Sequence, residues 1–267
     1  MTGTQKIIKY LAIAFAFCLI AGIVTGGISL FTFVSDLTGE SDSEIKNKDF
    51  SVGENTKNLK INLTNTDIVI KEGDKLSVET TKDNVVVKEK LGSFSIVEKK
   101  TSAKLKEDGQ VVLTIPKGYV FDKVDINTGK GKLVADVLRS EKIYLDFGAG
   151  EVIIEKLISE EKANINGGAG RITINNGKFY GADIDVTAGS LDVTAEFLGS
   201  GNIDCGIGNV NINLKGSEDD YRISVDKGIG GATIKGEAVA AETTYGTGGN
   251  MLDVEGGLGE IKIDFVK

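Results

Sequence analysis

Histidine and tryptophan are missing from this 267-residue chain, and proline occurs once, at Pro116. Without histidine, the side chain most often used to move protons near neutral pH is unavailable. Aromatic residues make up only 6% of the sequence, so the flat platforms common in sugar-cleaving sites are scarce, and a core must come from Val, Ile and Leu. Such a core suits thin stacked layers better than a thick globule. Two cysteines, Cys18 and Cys205, are too few for a disulfide framework, and neither sits in a metal-type spacing. No concentrated basic stretch exists either. The net charge is −8, and the first 34 residues contribute only Lys6 and Lys9, so the remainder carries −10. Phosphate backbones need a basic face, which excludes nucleic acid as the expected partner.

What the chain has in quantity is glycine, 35 residues of it, without the triplet period of collagen. Seven glycines mark a repeat: Gly131, Gly150, Gly170, Gly189, Gly208, Gly230 and Gly259. The first five are 19, 20, 19 and 19 residues apart, and the last two follow after 22 and 29. Apolar residues recur seven and five positions before six of the seven markers, as in Val124/Ile126 and Ile143/Leu145. They recur again two and four positions after it, as in Leu133/Ala135 and Leu191/Val193. Spacing by two within each arm means strand, with one face in and one out. The glycine between the arms tolerates positive φ where the chain turns sharply.

A near-constant period of about twenty residues predicts an all-β solenoid, β-helix-like, in which each coil lies over the one before it. Parallel stacking at about 4.8 Å would make seven rungs roughly 35 Å long. The expected solenoid covers 123–267, and Gly236–Asn250 reads as a loop insertion before the last rung. Residues 58–122 read as a less regular β region or cap. Within it, Leu59–Leu63 and Asp67–Ile70 resemble the two arms without the glycine. Cys205 falls on an inward position, as a buried structural thiol with no histidine to activate it.

One long apolar run precedes all this. Between Ile7 and Val34 the only charge is Lys9, and from Tyr10 about 25 uncharged residues suffice to cross a bilayer core. Lys6 and Lys9 stand before the run, with Asp36, Glu40, Asp42 and Glu44 after it, which orients the amino terminus inward. The expected layout is therefore a cytoplasmic 1–9, a transmembrane helix at 10–34 in contact with lipid, a polar linker at 35–57 and an extracytoplasmic remainder. A cleaved signal peptide is the competing reading, but the run is long and no A-x-A site closes it.

Two outward columns stand out. Four positions before each marker stand Asn127, Asp146, Asn166, Asp185, Asp204, Asp226 and Glu255; two earlier stand Asp125, Tyr144, Asn164, Asp183, Asn202, Ser224 and Asp253. Stacking turns them into ladders. Converging oxygens would suit a divalent cation, but Asn and Asp before a tight turn are more simply explained by bonds to nearby backbone N–H groups. Alternating Asn with Asp would also relieve repulsion between stacked charges. Gly129-Lys-Gly131 and Gly228-Ile-Gly-Gly231 lack the helix that a phosphate loop needs. Paired carboxylates on the acidic face leave a polysaccharide-acting enzyme as a disfavoured alternative. No residue is assigned a catalytic, cofactor-binding or metal-binding role.

The apolar amino-terminal run, the strand ending in Leu113-Thr-Ile-Pro-Lys-Gly118 and the repeated Gly-x-Gly units together resemble a bacterial domain family of unknown function labelled "putative adhesin". The resemblance spans roughly residues 55–265. Gly167-Gly-Ala-Gly170 and Thr187-Ala-Gly189 depart slightly from its pattern. Some members of that family accompany cell-envelope stress regulators of Gram-positive bacteria, and it has no established catalytic residues. The resemblance implies a surface interaction module. Its partner would be a cell-wall or surface glycan, or a neighbouring membrane protein through which an envelope-stress sensor is regulated.

Overall fold

The computed structural model describes residues 56–80, 82–100 and 109–266, with the backbone of 47–50. The predicted span at 10–34 with Cys18, the segment 1–9 and most of the linker 35–57 lie outside these residues. Among the described residues no helix is long and apolar enough to cross a membrane.

The described chain is all-β. In order, its strands are β1 (Asn47–Phe50), β2 (Asn58–Leu63), β3 (Asp67–Gly73), β4 (Leu76–Thr80), β5 (Val85–Lys90), β6 (Ser93–Glu98) and β7 (Gln110–Pro116). Then come β8 (Phe121–Phe179), β9 (Ala182–Phe197), β10 (Ser200–Lys215), β11 (Tyr221–Ile229) and β12 (Ala232–Ile234). The last are β13 (Glu237–Ala238), β14 (Glu242–Tyr245), β15 (Asn250–Leu258) and β16 (Ile261–Val266). β8 alone winds through three rungs.

Neighbouring rungs pair in parallel and in register. Ala163 and Ile165 lie beside Ala182 and Ile184, which in turn lie beside Gly201 and Ile203. These positions form continuous buried columns, and Gly201 leaves room that Leu252 and Phe197 fill. Burying a Val, Leu or Ile side chain contributes about 1.5–3 kcal/mol, so each rung is held chiefly by its neighbours' apolar columns. The turn opposite the glycines is closed by Phe179 and Phe197, whose ring centroids are 5.3 Å apart, and by Tyr221. The Tyr221 hydroxyl donates to the Lys215 carbonyl at 2.6 Å and accepts the Phe197 N–H at 3.3 Å.

The glycine corner has two physical causes. All seven markers have φ between +131° and +149°, a region that side chains with a Cβ rarely adopt. The corners also stack face to face: a Cβ on Gly208 would come within 1.6 Å of the Gly189 carbonyl oxygen, and one on Gly150 within 2.0 Å of that of Gly131. A second column two residues earlier is also tight, with a Cβ on Gly148 2.5 Å from the Gly129 carbonyl oxygen and one on Gly257 2.2 Å from that of Gly206.

Stacking does not follow the chain throughout. β15 and β16 pair with β10 on one side and with β11 and β12 on the other, so the Gly259 rung lies between the Gly208 and Gly230 rungs. This corrects the expectation that every coil lies over its predecessor. The cause is the segment between them: it is not a plain loop, because β14 and β13 turn back antiparallel on β11 and β12 and cover the outer edge. The only position left for the last rung is the inner one. Residues 58–122 are built in a related way. β2 and β3 form a rung on the Gly131 coil, β6 and β7 form a further parallel rung, and β4 and β5 close it antiparallel. Covering both outer rungs with short reversed strands removes long open edges.

The first rung turns at Thr64-Asn65-Thr66 without a glycine. Instead the Glu98 carboxylate accepts the N–H groups of Thr64 at 2.7 Å and Asn65 at 2.9 Å. Burial pushes the Glu98 carboxyl upward, but the N–H groups of Asn65 and Thr64, with the Lys82 charge, outweigh it and hold it below its ordinary range. The Lys82 ammonium lies 3.3 Å from Glu98 and donates to the Asn65 carbonyl at 3.0 Å.

Candidate outward-facing ladders

Each rung presents two outward faces, one from each arm. On the first arm the predicted columns form and follow the spatial order of the rungs. Asp185 lies beside Asp204, Asp204 beside Glu255 and Glu255 beside Asp226. Four acidic side chains are thus consecutive, and the expected relief by alternating Asn and Asp is confined to the earlier rungs. The outer column runs in register from Asn164 through Asp183, Asn202 and Asp253 to Ser224.

Electrostatics follow from this stacking. Burial pushes the Asp204 carboxyl up to about 6, with Asp185 and then Glu255 adding to it. Asp185 is raised by burial and by Asp183, and Asp146 by burial and by Asp125. Lysines border the earlier rungs: Lys123, Lys142 and Lys162 stand eight positions before their markers, where Gly181, Ser200, Met251 and, on the Gly230 rung, Arg222 stand later. Lys123 lies 3.1 Å from Asp125 and 4.6 Å from the centre of the Tyr144 ring. Among the described residues, no group of three or more Asp, Glu, Cys or His side chains converges closely enough to hold a metal ion. Neighbouring columns keep these carboxylates side by side instead of aiming them at one point. Cys205 is buried, and burial, with Asp204 and Asp185, pushes its thiol up to about 11, which keeps it protonated.

The second arm carries a ladder that sequence reasoning missed, three and five positions after the marker. Here amides join neighbouring rungs. The Asn211 amide donates to Asp192 at 2.7 Å, that of Asn213 to the Thr194 hydroxyl at 3.2 Å and that of Asn175 to Glu155 at 2.9 Å. Asn211 is in register with Asp192 and Asn213 with Thr194, and all of these side chains reach the surface. The same alternation that placed the first ladder could have found them. The column three after the marker begins with Val134 and Ile153, which hides its polar continuation, while the column five after it is polar from Asp136 on.

Residues 56–251 match the Toastrack DUF4097 family. The chain belongs to that family. The glycine units from Gly131 to Gly230 lie within the matched Toastrack domain, and that of Gly259 lies beyond its last matched residue. Two solved structures match over most of the chain. A "putative cell adhesion protein" from Clostridium sporogenes ATCC 15579 shares 14% identity over 85% of this chain and 100% of its own, with a TM-score of 0.31. A "putative adhesin" from Bacteroides fragilis NCTC 9343 shares 14% identity over 84% and 100%, with a TM-score of 0.38. Comparison with curated proteins gives no match.

Proposed function

We propose that the chain is a non-catalytic, adhesin-like interaction module. The apolar segment 10–34 holds it to the cytoplasmic membrane, and its Toastrack domain stands outside. The observation that carries this reading is the second-arm ladder. Amide, hydroxyl and carboxylate groups are held there at one-rung spacing, so little order is lost when a partner engages them. Fixed amide and carboxylate groups suit the hydroxyls of a cell-wall or surface glycan, each of which both donates and accepts.

Purified cell-wall polymer should retain the detergent-solubilised full chain. Asn211→Ala with Asp192→Ala should release most of it while the fold persists. Retention that is unchanged by this pair would refute a glycan role for the face. Cross-linking to a membrane kinase instead would favour the reading as an accessory regulator of envelope-stress sensing. Release of sugar fragments, abolished by Asp204→Asn, would overturn the non-catalytic reading.

A further inference from the structure

The Gly259 rung fills a slot between two rungs that are consecutive in the chain. β10 and β11 are joined directly through the short 3-10 turn at Glu218–Asp220, yet β15 lies between them and β16 between β10 and β12. Three features make this rung separable from the rest.

The first is its tether. It is reached through Gly246-Thr-Gly-Gly249, and Gly246 is already at φ +75°. Such a segment changes direction at small steric cost.

The second is that its contacts do not depend on which copy supplies it. Leu252, Val254, Ile261 and Ile263 join the same buried columns as their counterparts in every other rung. Its bonds across the slot are local and repetitive: Val210 N–H to the Glu260 carbonyl at 2.8 Å, Gly259 N–H to the Ile229 carbonyl at 3.0 Å, and Ile261 N–H to the Gly231 carbonyl at 3.0 Å. A second copy of the rung would make every one of them.

The third is that seating this rung is opposed. Glu255 enters between Asp204 and Asp226, so withdrawal relieves like charges in direct register.

We propose that this rung is exchangeable: the slot between β10 on one side and β11 and β12 on the other accepts β15 and β16 of a second copy, and the two copies form a reciprocal dimer. Exchange of an identical element needs no new surface, because each slot is filled by the segment that it already fits. The dimer forms slowly, since every bond of the rung breaks before it re-forms in the partner.

Asn209 and Glu260 provide the test. They are exposed neighbours across the slot, with the Glu260 N–H donating to the Asn209 side chain at 3.1 Å. Two full-length preparations with different tags are mixed in detergent, one carrying Asn209→Cys and the other Glu260→Cys, both with Cys18→Ser. Oxidation should yield a covalent species of twice the chain mass, bearing both tags and increasing with incubation. The double variant N209C/E260C should close its bond within one chain and then fail to enter mixed dimers. Mixed single variants that stay monomeric while the double variant closes would overturn exchange. Failure of the double variant to close would overturn it too, because the slot would then not be filled as described.

Discussion

The two arms of a rung share strand geometry, register and spacing, yet their outward faces are in opposite states. On the first arm, Asp185, Asp204, Glu255 and Asp226 follow one another, and the Asp204 carboxyl rises to about 6. On the second arm, Asn211 sits beside Asp192 at 2.7 Å, and donor meets acceptor. In-register parallel stacking makes each residue the neighbour of its counterpart. A ladder therefore stabilises or strains according to whether donors and acceptors alternate along it.

Both faces hang from the glycine corner, so its loss should have the largest effect. Gly208→Val places a Cβ against the Gly189 carbonyl at φ +144°. It should destabilise the domain by about 3 kcal/mol or more in denaturant unfolding, enough to remove both ladders. Asp204→Asn removes the strained carboxylate from the first face and should stabilise the domain by about 1–2 kcal/mol at pH 7. The sign follows from the upward shift. The folded chain takes up a proton near pH 6, the unfolded chain only near the ordinary 3.8, so the penalty is full above 6 and relieved between there and about 4. Wild-type unfolding free energy should carry this gain on acidification, and the Asn variant should lose it.

The reverse exchange sharpens the contrast. Asn211→Asp places a carboxylate beside Asp192 and should cost about 0.5–1 kcal/mol at pH 7, making the second face behave like the first. The smallest effect should come from Gly231→Ala, where a Cβ meets nothing within 4 Å; thermal unfolding should stay within about 0.5 kcal/mol of wild type.

The arms, the corner and the inward position of Cys205 were legible because strand alternation and turn glycine leave local marks. The spatial order of rungs was less so, because spacing along a chain does not say which edge a segment joins. Even so, the intervals of 22 and 29 residues carried a trace of it. The shorter surplus steps past the slot, and the longer one holds the β13–β14 cover. Between 58 and 122 the rungs were masked by the missing marker, since Glu98 replaces a stacked glycine with a carboxylate that binds the corner N–H groups. On the second arm the column three after the marker was hidden because its first members, Val134 and Ile153, are apolar, whereas the column five after it is polar from Asp136 onward and was legible.

The most direct test of the stacked, reordered ladder is a carboxyl NMR titration of Asp204 in the wild type, Glu255→Gln and Asp226→Asn. Burial and then Asp185 set most of the midpoint of about 6, and Glu255 adds to it as a direct neighbour, so the structure predicts a modest fall in Glu255→Gln and a smaller shift in Asp226→Asn. An Asp204 that titrates in the ordinary carboxylate range, or that responds to Asp226 and not to Glu255, would contradict the stacking.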